Sequence, residues 1–227
     1  MTTTPIVALD FPSVDEALRV VGVLGDACRF YKIGNELFTA AGPSVVTRVR
    51  DLGCDVFLDL KLHDIPNTVA KAVAAAGELG VQMMTVHLSG GHAMLSAAVQ
   101  AKSPNLFLLG VTVLTSFTEE TLRETGVNDA VEQQVLRLAE LGQKSGIDGL
   151  ITSPHEVKTL RKRLGDQIKL ITPGIRPSWA APDDQKRFTT PAEAVKNGAD
   201  YVVIGRPITA DSNPRAAVDR VLSEFVE

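Results

Sequence analysis

Short runs rich in Val, Ile, Leu and Phe alternate along the chain with longer stretches in which apolar residues recur every three or four positions. The first kind reads as strands and the second as helices, a pattern of repeated βα units around a parallel sheet. The strand-like runs fall at about 6–10, 30–34, 56–61, 83–87, 107–114, 149–152, 169–172 and 201–205, each followed by a helical stretch or the start of one. Eight such units predict an α/β fold, a single (β/α)8 TIM barrel. Local signals agree. Ser13 followed by Glu16 predicts a capping box, Pro43, Pro154 and Pro214 stand near helix starts, and Gly25, Gly53, Gly80 and Gly165 mark the far ends. A doubly wound open sheet would gain support from G-x-G-x-x-G after the first strand, and that fingerprint is absent.

A chain of 227 residues with 44% hydrophobic and 22% charged positions suits one domain spanning 1–227 better than two. The formal charge of −4 gives no footprint for nucleic acid or an anionic membrane, so the expected partners are small molecules. No apolar run approaches the ~18 residues of a membrane span, and Met-Thr-Thr-Thr-Pro lacks the character of a secretory leader. Cys28 and Cys54 have neither metal spacing nor the density of a disulfide scaffold, which points to reduced thiols and a cytoplasmic location. The one long connection, about 174–190, carries Arg176, Gln185, Lys186 and Arg187, and is expected to close over a ligand as a phosphate-gripping loop.

In parallel barrels chemistry sits at the C-terminal ends of the strands. Charged and polar residues fall there: Asp10 on the first run, Lys32 on the second, Asp59 and Lys61 on the third, His87 on the fourth, Thr115 and Ser116 after the fifth, Gly205 and Arg206 on the eighth. The strand period of two places Phe57, Asp59 and Lys61 on one face and Val56, Leu58 and Leu60 on the other. With Asp10, Lys32 and Asp64, Asp59 and Lys61 make an array of alternating sign. An ion network that only stabilises the barrel is the competing reading, weakened by the concentration of charge on adjacent strand ends. Gly205 lets backbone approach an oxyanion, and Arg206 offers a bidentate fork to phosphate oxygens. His63, His87, His92 and His155 form no H-x-x-x-H pair, so no metal is expected; His87 reads as a hydrogen-bonded strand-end residue. Ser89-Gly90-Gly91 fits an anion nest and a plain strand-to-helix turn equally well.

These residues resemble the bacterial orotidine 5′-monophosphate decarboxylases over nearly the whole chain. The strongest likeness is 59–68, Asp-Leu-Lys-Leu-His-Asp-Ile-Pro-Asn-Thr, which is similar to the family's D-x-K-x-x-D followed by I-P-N-T. Val-Ala-Leu-Asp at 7–10, Lys-Ile-Gly at 32–34, Val-Thr-Val-Leu-Thr-Ser at 111–116, Thr-Pro-Gly-Ile-Arg-Pro at 172–177 and Val-Ile-Gly-Arg-Pro at 203–207 support it. The resemblance implies a catalytic tetrad of Lys32, Asp59, Lys61 and Asp64, with Lys61 giving the proton to C6 of the pyrimidine. It implies a homodimer in which Asp64 and Thr68 reach the neighbouring subunit's site. Asp10 and Lys32 would hold the ribose, Thr115 and Ser116 the pyrimidine, and Arg176, Gln185, Gly205 and Arg206 the phosphate side. Orotidine 5′-monophosphate would be the substrate and UMP the product, with no cofactor and no metal.

The implied chemistry suits the equipment. Loss of CO2 from C6 leaves a carbanion with no electron sink, which asks for a cation already in place. Asp59 would either repel the departing carboxylate or position Lys61. The sequence leaves two rivals: a metal-dependent sugar-phosphate decarboxylase or aldolase sharing D-x-K-x-x-D, and a non-catalytic phosphate-binding barrel. The I-P-N-T extension and the ammonium of Lys32 speak against the first, the complete charged tetrad against the second.

Overall fold

A computed structural model describes residues 3–180 and 189–225. Eight parallel strands, β1 (Thr4–Ala8), β2 (Phe30–Gly34), β3 (Asp55–Leu62), β4 (Met83–His87), β5 (Phe107–Val111), β6 (Gly149–Ile151), β7 (Lys169–Thr172) and β8 (Tyr201–Ile204), form a closed barrel in sequence order. Closure is direct: β1 pairs with both β2 and β8. The fold is the expected (β/α)8 barrel.

The period of two along each strand sorts side chains into two cores. Ile6, Ala8, Phe57, Met83, Leu109, Ile171 and Val203 fill the barrel interior. Val7, Tyr31, Ile33, Val56, Leu58, Met84, Leu108, Leu150, Val202 and Ile204 face outward into the layer beneath the helices, and Leu60 packs at its edge. The helices bury a stripe on that layer, as Val69, Val73 and Ala76 do in Pro66–Glu78. Each valine so buried contributes about 1.5–3 kcal/mol, more than intrinsic propensity gives such short helices.

Some boundaries move. The fifth strand stops at Val111 instead of running to 114, because its partner β6 is three residues long and offers its last carbonyl, that of Ile151, to Thr112. The first strand ends at Ala8, although Leu9 N–H still reaches the Lys32 carbonyl at 2.9 Å, and Asp10 lies just past it at the rim. Ser13 does cap the helix Val14–Leu24, but the Glu16 carboxylate returns to the Ser13 hydroxyl and not to its backbone N–H, so the expected capping box is half made. A complete box stands instead at Thr190 and Glu193, ahead of the helix Pro191–Asn197. The four punctuating glycines all take positive φ.

Candidate active site

The C-terminal mouth gathers the charges of three adjacent strands. Asp59 is buried inside β3, with the Lys61 ammonium 2.7 Å from its Oδ2. Lys32 Nζ, coming from β2, lies 3.9 Å from the same oxygen and 2.9 Å from Asp10 Oδ1. The order is therefore Asp10, Lys32, Asp59, Lys61, each charge beside its opposite. Both lysine side chains are mostly withdrawn from solvent, 12% exposed for Lys32 and 31% for Lys61, which strengthens the attraction over a surface pair.

Lys61 reaches this place by a route that simple alternation does not describe. Its φ is 51°, the one positive φ outside glycine among the described residues. The β3–β4 register slips here, with Leu58 opposite Met84 but Leu62 opposite Val86. The Lys61 backbone N–H donates to Thr85 Oγ1 at 2.9 Å, and that hydroxyl donates to Asp59 Oδ1 at 2.9 Å. Thr85 is fully buried and was absent from the sequence-based candidates. Its one signal was a hydroxyl at an inward phase of the apolar run Met-Met-Thr-Val-His.

Beside this array opens a cavity of about 310 Å³ walled by Asp10, Lys32, Gly174, Arg176, Gly205 and Arg206 among others. Arg176 is buried and Arg206 exposed at the rim. A Cβ at Gly205 would meet Ala8 Cβ at 3.6 Å and Asp10 Oδ2 at 4.0 Å, ordinary contacts, so packing alone does not demand glycine there. The loop arms are pinned where Ile175 and Thr189 bridge, with Arg176 N–H on the Thr189 carbonyl. Gln185, Lys186 and Arg187 lie outside the described residues.

Other candidates stand apart from the charged array. Asp64 is exposed, its Oδ1 accepting the Ile65 N–H at 2.6 Å, and among the described residues it forms no ion pair. Within one chain, then, the alternating array runs without Asp64. Thr68 is exposed on the first turn of Pro66–Glu78, and Ile65 is 66% exposed, the most of any large apolar side chain among the described residues. Thr115 and Ser116 are exposed on the loop after β5. Below that loop a second, mainly apolar cavity of about 440 Å³ includes His63, His87, Thr112, Phe117 and Gln134. His87 ends β4 as expected, but among the described residues its ring meets His63, centroids 5.5 Å apart, and forms no hydrogen bond. Burial, then the charges of His63 and Lys61, hold His87 below the usual histidine range.

Among the described residues no group of three or more His, Cys, Asp or Glu is placed to hold a metal ion. Cys28 and Cys54 are buried, and burial pushes both thiols up, which makes them poor nucleophiles. The site offers fixed ammonium groups against buried carboxylate, next to a cavity edged by two guanidinium groups. Such a site suits an anionic ligand and a reaction that develops negative charge.

The sequence profile of the orotidine 5′-phosphate decarboxylase / HUMPS family matches residues 3–221. The chain is 50% identical over 223 residues to the orotidine 5′-phosphate decarboxylase of Opitutus terrae, covering 97% of each. It is 48% identical over 226 residues to that of Pelobacter propionicus, covering 97% of this chain and 94% of the relative. The crystal structure of orotidine 5′-phosphate decarboxylase from Lactobacillus acidophilus superposes with a TM-score of 0.88 at 38% identity, covering all of both chains.

Proposed function

The chain belongs to the orotidine 5′-phosphate decarboxylase / HUMPS family, and from that premise we propose how it performs decarboxylation of orotidine 5′-phosphate to UMP in UMP biosynthesis. The C6–carboxylate bond breaks, CO2 departs with the electron pair left on C6, and a proton passes from the Lys61 ammonium to that carbon. Lys61 then regains its proton from solvent. The contact that carries this reading is Lys61 Nζ at 2.7 Å from Asp59 Oδ2, with Lys32 at 3.9 Å from the same oxygen. A cation already fixed at the mouth needs little reorganisation when the carbanion forms. No cofactor or metal takes part in this scheme.

The other assignments are those the family resemblance implies. Asp10 and Lys32 hold the ribose, and Arg176, Gly205 and Arg206 take the phosphate in the cavity they edge; the resemblance adds Gln185, from the part of the 174–190 loop outside the described residues. Thr115 and Ser116 meet the pyrimidine. Asp64 and Thr68 serve the site of a second subunit, for which their exposure and that of Ile65 between them are the support. The chain acts as one domain, as a homodimer, in the cytoplasm. Among the described residues no helix is long and apolar enough to cross a membrane.

The test is loss of orotidine 5′-phosphate absorbance with purified protein, with and without chelator, and with Lys61→Ala. Turnover is expected to be unaffected by chelator and abolished in Lys61→Ala. Residual activity within tenfold of wild type rules out Lys61 as proton donor. Loss of turnover with chelator would favour the metal-dependent sugar-phosphate chemistry, and no turnover at all a phosphate-binding barrel.

A further inference from the structure

Thr85, at the middle of β4, stands opposite the place where β3 outgrows its partner. Four steps along β3, from Leu58 to Leu62, are matched by two along β4, from Met84 to Val86. Asp59, Leu60 and Lys61 absorb the surplus, and Lys61 is left in the left-handed region, which is unfavourable for a residue with a side chain. Strain of this kind persists only where the surroundings hold it in place.

One hydroxyl supplies that hold. Thr85 Oγ1 accepts the Lys61 backbone N–H and donates to Asp59 Oδ1, both at 2.9 Å. A hydroxyl has a proton to give and lone pairs to receive with, so the two bonds coexist. Oδ1 of Asp59 is thereby committed to Thr85, and Oδ2 is left to face both lysines.

We propose that Thr85 is a positioning residue for the decarboxylation: it pins the Lys61 backbone and the Asp59 carboxylate together, so that the ammonium is delivered to one place. Thr85 itself touches neither bond that changes. The assignment rests on the reading of Lys61 as proton donor to C6. Valine has the shape of threonine without the hydroxyl. In Thr85→Val the Lys61 N–H loses its acceptor, and Asp59 loses the donor that sets its rotation.

The experiment compares wild type, Thr85→Val, Thr85→Ser and Lys61→Ala by kcat, by KM for orotidine 5′-phosphate and by Kd for UMP. Misplacement of the reacting group predicts that Thr85→Val lowers kcat by about 100-fold. KM and UMP affinity should stay close to wild type, because the ribose and phosphate contacts lie on other strands. Thr85→Ser keeps the hydroxyl and should recover most of kcat. The proposal is overturned if Thr85→Val keeps kcat within about threefold, or if its loss appears in KM and UMP binding alone. Equal impairment of Thr85→Ser and Thr85→Val also overturns it, since volume would then be what matters. Thr85→Cys, close in size and only a weak donor, replaces Thr85→Val under the same criteria if that variant does not fold. A wild-type-like Thr85→Val beside an inactive Lys61→Ala removes the role of Thr85 alone. An active Lys61→Ala removes the reading beneath it.

Discussion

A Cβ added to Gly34 would stand 2.9 Å from Lys32 Nζ, and 3.2 Å from the Asp10 oxygen that Lys32 binds. The residue that ends β2 is therefore bare so that the lysine two positions earlier can lie across it. Gly34 has φ −95°, within ordinary range, so alanine there would strain side-chain space and not backbone. The ammonium is the end of a flexible chain and can yield. Gly34→Ala is accordingly expected to leave thermal stability nearly unchanged while kcat/KM falls roughly tenfold, through displacement of Lys32 from Asp10 and Asp59. Calorimetry and steady-state kinetics on the same preparation check both halves. A large drop in Tm with unchanged kcat/KM would contradict it.

Arg206 edges the cavity beside Gly205 and is exposed, free of the burial that holds Arg176. Charge-assisted bonds from a guanidinium to phosphate are worth about 3 kcal/mol, so Arg206→Ala should lower kcat/KM for orotidine 5′-phosphate roughly a hundredfold. Orotidine without its phosphate should be turned over equally by variant and wild type. An equal loss on both substrates would place Arg206 away from the phosphate.

Much of this site was legible because strand chemistry is periodic. Asp59 and Lys32 occupy inward phases that alternation fixes, and the barrel follows from eight apolar runs separated by helical stretches. Lys61 was correctly paired with Asp59 for an incomplete reason: alternation puts it on the inner face, whereas a register slip and a left-handed backbone bring it there. Such a slip depends on the partner strand, which local pattern does not name. Thr85 was missed for the same cause, since its importance lies in what stands across from it. The fifth strand reads too long in the sequence because Val111 to Leu114 is β-prone, while β6 ends at Ile151 and leaves Val113 and Leu114 without a strand partner. His87 was expected to find a hydrogen bond, and the ring it meets belongs to a residue 24 positions away, on the other side of a helix.

Among the described residues Asp64 lies exposed with only its neighbour's N–H in hand, although its spacing from Lys61 is that of the motif shared with the family. If it serves a second subunit, two inactive variants should complement. In a mixed dimer of Lys61→Ala and Asp64→Asn, one site carries both lesions and the other carries neither. Mixing the variants under conditions of subunit exchange should restore turnover, up to one competent site per mixed dimer. Persistent inactivity, with exchange shown independently, would place Asp64 in its own chain's site.

At the opposite end of the barrel the Asp200 carboxylate ties strands together. Asp200 Oδ2 accepts the Leu170 N–H at 2.8 Å and Arg161 Nη2 at 2.5 Å, Oδ1 accepts Lys169 Nζ at 3.0 Å, and the Asp200 carbonyl takes the Thr4 N–H at 2.9 Å. It thus stitches β7, β8 and β1 where the barrel closes. Burial alone would push this carboxyl up, but the Leu170 N–H, Lys169 and Arg161 outweigh burial and hold it below the ordinary value of 3.8. A carboxyl depressed in the folded state binds fewer protons there than when unfolded, so its contribution is complete above 3.8 and disappears as pH falls through the folded value. Asp200→Asn should cost about 3 kcal/mol at neutral pH, because Lys169 and Arg161 lose the charge they share. The gap between wild type and variant in denaturant unfolding should narrow as pH drops below 3.8, while the variant keeps the wild-type kcat at neutral pH because Asp200 lies at the end away from the chemistry. A gap independent of pH would mean that Asp200 supports the barrel by shape and hydrogen bonding, not by charge.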